Sequence, residues 1–258
     1  MRKVTLGTTG LVVSRLGLGT DVLHAGGLSV EEHTAIILRA WELGINLIDT
    51  DRWYDTYPSI AAALPHVTRR DVVLVSKTYE KTRDAALADV AYALEALGTE
   101  YLDLFLLHAV DSMEQYAEMA GALEGLQEAR ERGWIRHIGL STHAVPVVSA
   151  IAGNPDIEAI LTVVNLKGKN MHRTGTREGM ERAVARVCEA GQGVYVMKPF
   201  ARGRLFDDAN KDKPLTPEQA EEALRYLYGL PTIHAVVPGI RSIAQLEHCV
   251  RVVEALDG

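Results

Sequence analysis

Only two cysteines, Cys188 and Cys249, occur in 258 residues. Each sits on a helix-like segment without a nearby partner, so two buried thiols are expected rather than a disulfide or a cysteine metal site. No run approaches the roughly 18 apolar residues a membrane span needs. The start, Met1-Arg2-Lys3-Val4-Thr5-Leu6-Gly7, turns polar before a signal-peptide core could form. No stretch of clustered Lys and Arg appears and the formal net charge is −7, so a nucleic-acid partner is not expected. Nowhere do His, Cys and carboxylates show metal-ligand spacing along the chain, and no metal is expected. What remains is an ordinary globular composition, 47% hydrophobic and 24% charged, suited to a reducing cytoplasm.

Against these absences stands a regular alternation. Strand-like runs read Arg15–Thr20, Asn46–Thr50, Val72–Lys77, Leu102–His108, His137–Ser141, Ala159–Val164, Gly193–Met197 and Ile233–Val237. Most are short and continuously apolar, as parallel strands covered on both faces must be. Amphipathic segments lie between them, among them Val30–Leu43, Arg83–Leu97, Met113–Arg132 and Arg177–Ala190. Ser29 and Thr216 read as N-caps, and Gly44, Gly98, Gly133 and Gly191 as left-handed helix ends. Eight nearly equal strand–helix units, with no change of spacing, predict a (β/α)8 barrel spanning residues 1–258 as a single domain, rather than a doubly wound sheet. Ahead of it, Val4 to Val13 reads as a hairpin that caps the bottom of the barrel. The two long loops, Gly168–Thr176 and Arg202–Pro214, follow strands and therefore belong to the active face.

Asp49, Lys77 and His108 each end a strand-like run, and Tyr54 follows Asp49 by five residues. Titratable side chains are costly inside an apolar barrel, so their recurrence at strand ends marks a shared rim. An acid, a phenol, an amine and an imidazole together can move a proton to or from a carbonyl oxygen. Any one of them alone is more economically read as a rim ion pair or a hydrogen-bonded core residue. Their combination is not.

These residues, with Leu16-Gly17-Leu18-Gly19-Thr20, Gly44-Ile45-Asn46-Leu47-Ile48-Asp49-Thr50, Leu102-Asp103-Leu104-Phe105-Leu106-Leu107-His108, Ile135-Arg136-His137-Ile138-Gly139-Leu140-Ser141 and Pro238-Gly239, resemble the aldo-keto reductases from about Lys3 to Val253. The resemblance implies a nicotinamide dinucleotide bound without a G-x-G-x-x-G fold, NADP(H) rather than NAD(H), and a small-molecule carbonyl substrate. It implies that Asp49, Tyr54, Lys77 and His108 are catalytic, Tyr54 being the general acid/base; a Lys77 ammonium in hydrogen-bond reach is expected to lower the phenol pKa. It implies that Ser141 and Thr142 hold the carboxamide, although Thr142 stands where relatives carry Asn, Leu161 where they carry Gln, Met197 where an aromatic is usual and Cys249 where Asn is frequent. Cofactor contacts are expected further from Gly19, Thr20, Asp49, Met197, Lys198, Arg202, Arg204, Gly239, Arg241 and Gln245. Substrate contacts are expected from His24, Trp53, Tyr54 and His108.

The activity so implied is reversible NAD(P)H-dependent reduction of an aldehyde or ketone. Two other readings compete with it. The first is a nicotinamide-nucleotide-binding barrel that acts as a sensor or partner subunit with weak turnover. The second is a Schiff-base enzyme using Lys77 or Lys198.

Overall fold

Side chains alternate across each strand, and along eight short parallel strands this separates two apolar layers. The structure, a computed structural model, describes residues 1–21, 27–172, 175–209 and 214–257. The strands are β3 (Leu18–Gly19), β4 (Leu47–Asp49), β5 (Val73–Thr78), β6 (Leu102–Leu107), β7 (Ile135–Thr142), β8 (Ala159–Val163), β9 (Gly193–Met197) and β10 (Ala235–Val237). Each pairs in parallel with its sequence neighbour. Bridges Leu16–Val236 and Gly19–Gly239 bring the two ends of the sheet together. The result is the (β/α)8 barrel the alternation predicts.

Inward-facing residues form one core: Leu47, Val73, Val75, Leu104, Leu106, Leu161, Tyr195 and Val237, all buried. Their outward neighbours, such as Ile48, Leu74, Phe105 and Val194, pack under the helices in a second core. The hairpin, β1 (Lys3–Thr5) and β2 (Val12–Ser14), places Leu6, Leu11 and Val13 in the inner core and so plugs the barrel bottom. Gly7 makes that fit: its φ is +55°, and a Cβ there would lie 2.3 Å from the Gly193 nitrogen.

Helix boundaries follow their caps. Ser29 and Thr216 form capping boxes at Val30–Glu42 and Pro217–Tyr228. Gly44, Gly98, Gly133 and Gly191 have φ of +83°, +64°, +76° and +86°. The one helix expected over Met113–Arg132 is instead two, Met113–Glu118 and Ala120–Glu131. There the Ala122 N–H donates to the Lys81 carbonyl at 3.0 Å rather than up its own helix, and Gly121 lets that backbone approach. Cys249 is buried as expected, while Cys188 is only half-buried; both thiols are free. Among the described residues no helix is long and apolar enough to cross a membrane.

Candidate active site

Alternation carries a line of polar groups up the barrel wall. Leu47, Val75, Leu106 and Tyr195 face inward, and the residues two positions on are Asp49, Lys77, His108 and Met197. The polar groups therefore crown the inner core at the ends of the strands. Lys77 Nζ donates to Asp49 Oδ1 at 2.8 Å and to the Thr50 carbonyl at 2.7 Å. The other Asp49 oxygen accepts from the hydroxyl of buried Tyr195 at 3.0 Å. Both members of the pair are almost wholly removed from water, with side-chain exposures of 0% for Lys77 and 7% for Asp49. Such a pair persists only with its remaining hydrogen bonds satisfied, and Thr50 and Tyr195 satisfy them.

Tyr54 ends a 3-10 turn, Arg52–Tyr54, whose N-cap Asp51 accepts from the Trp53 N–H. Asp55, left-handed at φ +53°, closes that turn. The Tyr54 hydroxyl lies 3.4 Å from His108 Nε2, and Lys77 Nζ sits 5.0 Å from the centroid of its ring. His108 Nδ1 is 2.8 Å from Asp51 Oδ2. A carboxylate only accepts, so Nδ1 carries the proton and Nε2 presents a lone pair. Tyr79 stacks on His108 at 4.1 Å and brings a second phenol hydroxyl to 3.4 Å from the same nitrogen.

Two pKa directions set the chemistry. Burial, and then the carboxylates of Asp49, Asp21 and Asp51, push the Tyr54 phenol well up from its usual value. This corrects the expectation that Lys77 lowers it, because the ammonium spends its hydrogen bonds on Asp49 and Thr50. Burial pushes His108 down, against the pull of Asp51, and keeps its ring neutral.

A cavity of about 540 Å³ opens above these residues. Of the residues expected to touch cofactor, Gly19, Thr20, Asp49, Met197, Lys198, Arg202, Gly239, Arg241 and Gln245 line it, with Tyr54 and His108. Ser141 and Thr142 are not in its lining. They are only 1% and 0% exposed, and their hydroxyls accept from the Ala109 and Ala144 N–H groups at 2.8 and 3.0 Å. Arg204 is also absent from the lining; its carbonyl accepts from Lys169 Nζ at 2.6 Å. Trp53 stays 63% exposed beneath the Arg52 guanidinium and is likewise not in the wall. His24 lies outside the described residues.

The wall after β9 is strained. Lys198, Ala201 and Arg202 have φ of +54°, +49° and +56°, positions that cost a non-glycine residue on the order of 1–3 kcal/mol each. Asn165, fully buried, donates from Nδ2 to the Lys169 carbonyl at 2.8 Å and to the Lys198 carbonyl at 3.4 Å, which helps hold this turn. Lys198 Nζ lies 2.6 Å from His143 Nε2, and burial pushes Lys198 down. At the far end, the Arg241 N–H donates to Gln245 Oε1 at 2.9 Å, just ahead of the helix Ile243–Asp257. Burial pushes the Cys249 thiol there up to about 12, an unreactive group.

Asp51, Tyr79 and Tyr195 were not singled out from the sequence. Asp51 and Tyr195 carry a readable signal: each lies two residues from a site position, on the inward parity. Tyr79, two residues after Lys77, carries the same signal.

Comparison with known proteins follows the same lines. A family model described as Aldo/keto reductase family matches residues 15–225. The "NADH-specific methylglyoxal reductase" of Escherichia coli (strain K12) is 27% identical over 249 residues, covering 82% of this chain and 71% of that protein. An aldo-keto reductase of Mycobacterium avium (strain 104) is 32% identical over 200 residues, covering 75% and 64%. The holo form of an aldo-keto reductase from Bacillus halodurans superposes with a TM-score of 0.80 at 24% identity, over 98% of this chain and 91% of that one.

Proposed function

Since this chain belongs to the aldo/keto reductase family and is an NAD(P)-dependent oxidoreductase, we propose that Tyr54 is its proton donor in the reduction of a small aldehyde or ketone. The observation that carries this reading is the convergence of Tyr54, His108, Lys77 and Asp49 at one end of the cavity, in the contacts given above. The cavity fits a dinucleotide. Its volume falls in the range of ordinary cofactor sites, about 300–1,000 Å³, and Lys198, Arg202 and Arg241 add cations along its wall. When bound, the dinucleotide supplies the hydride, and the protein supplies geometry and charge.

The roles of the chain's own groups follow from their hydrogens. Neutral His108, with its proton committed to Asp51, accepts at Nε2 and has nothing to donate to a carbonyl oxygen. It orients a phenol hydroxyl instead. Tyr54, kept protonated by burial and by the surrounding carboxylates, then hands its proton to the oxygen of the nascent alcohol. Lys77, its ammonium 5.0 Å from the Tyr54 ring centroid, offers the phenolate left behind a nearby positive charge, one that burial and the carboxylates outweigh. Asp49 and Thr50 fix Lys77 in place, so its amine serves as a charge and not as a nucleophile. A small 2-oxoaldehyde, the kind of substrate in the name of the Escherichia coli relative, is the first compound to assay.

NADPH is the cofactor we favour over NADH, because Arg241 stands at the start of a helix where anions are already welcome. Its guanidinium forks onto a phosphate as no other side chain does. Calorimetric titration tests this. Arg241→Ala should lose about 1.5–3 kcal/mol of NADPH affinity, the value of a charge-assisted hydrogen bond, and much less for NADH. Equal losses would make Arg241 a contact to the adenosine common to both, and no loss for either would remove it from the site.

A further inference from the structure

A second cluster of donors sits on the same face of the barrel, hidden from the sequence because its members lie far apart along the chain. Asp111 follows β6, His143 follows β7 and His172 lies in the loop after β8, so three successive units deliver one donor each. One donor atom from each lies within 4.8 Å of the other two. His172 Nδ1 is 2.9 Å from Asp111 Oδ1. The rings of His143 and His172 stack at 4.6 Å, and the His172 N–H donates to the His143 carbonyl at 3.0 Å, which joins the two loops.

His143 supplies a second, independent observation. The residue is 9% exposed, its Nε2 lies 2.6 Å from Lys198 Nζ, and its Nδ1 is buried without any hydrogen-bond partner. Leaving a buried ring nitrogen unsatisfied is costly, and a ligand at that atom would recover the cost. Two imidazoles and one carboxylate are the donor set of borderline divalent transition metals. Calcium and magnesium, which take oxygen ligands, are poorly served by it.

We propose that Asp111, His143 and His172 bind a divalent transition-metal ion of the zinc class, which ties together the loops after β6, β7 and β8 beside the cavity. The ion replaces the hydrogen shared by His172 and Asp111 and binds His143 at Nδ1; the His143 ring proton then sits on Nε2 and is donated to the Lys198 nitrogen, so uptake of the ion displaces a proton from Lys198. In a tetrahedral site the donors stand about 3.3 Å apart, so the stacked rings must turn toward a common point. His172, with a side chain 49% exposed, has the room to do so. The fourth position is left for water, on a residue, His143, that also lines the cavity.

The test needs neither cofactor nor turnover, so its outcome is independent of the reductase reading. Protein dialysed against a chelator is titrated with Co2+, followed by visible absorption, and then with Zn2+. The expected result is a single saturable Co2+ site with visible bands that Zn2+ abolishes. His172→Ala and Asp111→Asn, both at partly exposed side chains, should each weaken binding at least about tenfold, with circular dichroism of the metal-free protein unchanged. Absence of saturable binding, or binding equally tight in both variants, overturns the proposal.

Discussion

Tyr54→Phe should bind NAD(P)H as the parent does and reduce its substrate at least about a hundredfold more slowly, the usual value of a general acid. The substitution removes one oxygen and little else. A phenylalanine ring keeps the edge contact with His108, at 6.1 Å and 79°, and the position over which Lys77 sits. Any loss of rate is therefore the loss of the proton. Tyr79→Phe is the necessary companion, because its hydroxyl stands at the same 3.4 Å from His108 Nε2. Single-turnover rates decide between them. A Tyr54→Phe rate equal to that of the parent, with Tyr79→Phe impaired, would transfer the donor role to Tyr79.

Asp49→Asn should destabilise the protein by about 3–5 kcal/mol, the range for breaking one side of a buried ion pair. The change is nearly isosteric, so no cavity enters the comparison. It leaves the Lys77 ammonium, wholly excluded from water, without a counter-charge. Urea denaturation reads this as a lower midpoint with an unchanged slope. The same substitution carries a pH signature. The Asp49 carboxylate is one of the charges that push the Tyr54 phenol up; with it gone the phenol ionises more readily, and the limb of alcohol oxidation that rises with pH should move to lower pH. A native midpoint together with an unmoved limb would show Asp49 to be neither a structural anchor nor a tuner of the phenol.

Strand ends were the legible part of this molecule. Asp49, Lys77 and His108 could be placed because parallel strands read as short apolar runs, and a titratable residue at the end of such a run is conspicuous. The left-handed glycines and the Ser29 and Thr216 caps were legible for the same local reason. What depends on which residues meet across the barrel was not: Asp51 and Tyr195 stand at readable inward positions, but their partners lie far along the chain. Asp51 reaches His108 across 57 positions and Tyr195 reaches Asp49 across 146. Ser141 and Thr142 fell at the expected positions along the chain, yet their hydroxyls cap neighbouring backbone instead of facing the cavity. The direction of the Tyr54 pKa shift was missed because it depends on three carboxylates and on burial, and only one of those carboxylates had been placed beside it. The split at Met119 likewise depends on the Lys81 carbonyl, 41 positions away from Ala122.

In the proposed reaction hydride passes to a carbonyl carbon in this cavity while Tyr54 protonates the oxygen. Isotope transfer tests it most directly. Protein is incubated with NADPH or NADH deuterated at the reactive face of the nicotinamide C4 and a panel of small aldehydes and 2-oxoaldehydes, and the alcohols are analysed by mass spectrometry and NMR. The expected result is deuterium on the former carbonyl carbon, in one configuration, with formation at least about a hundredfold slower in Tyr54→Phe. Product without deuterium, or no product from any carbonyl despite cofactor bound in the cavity, would contradict it.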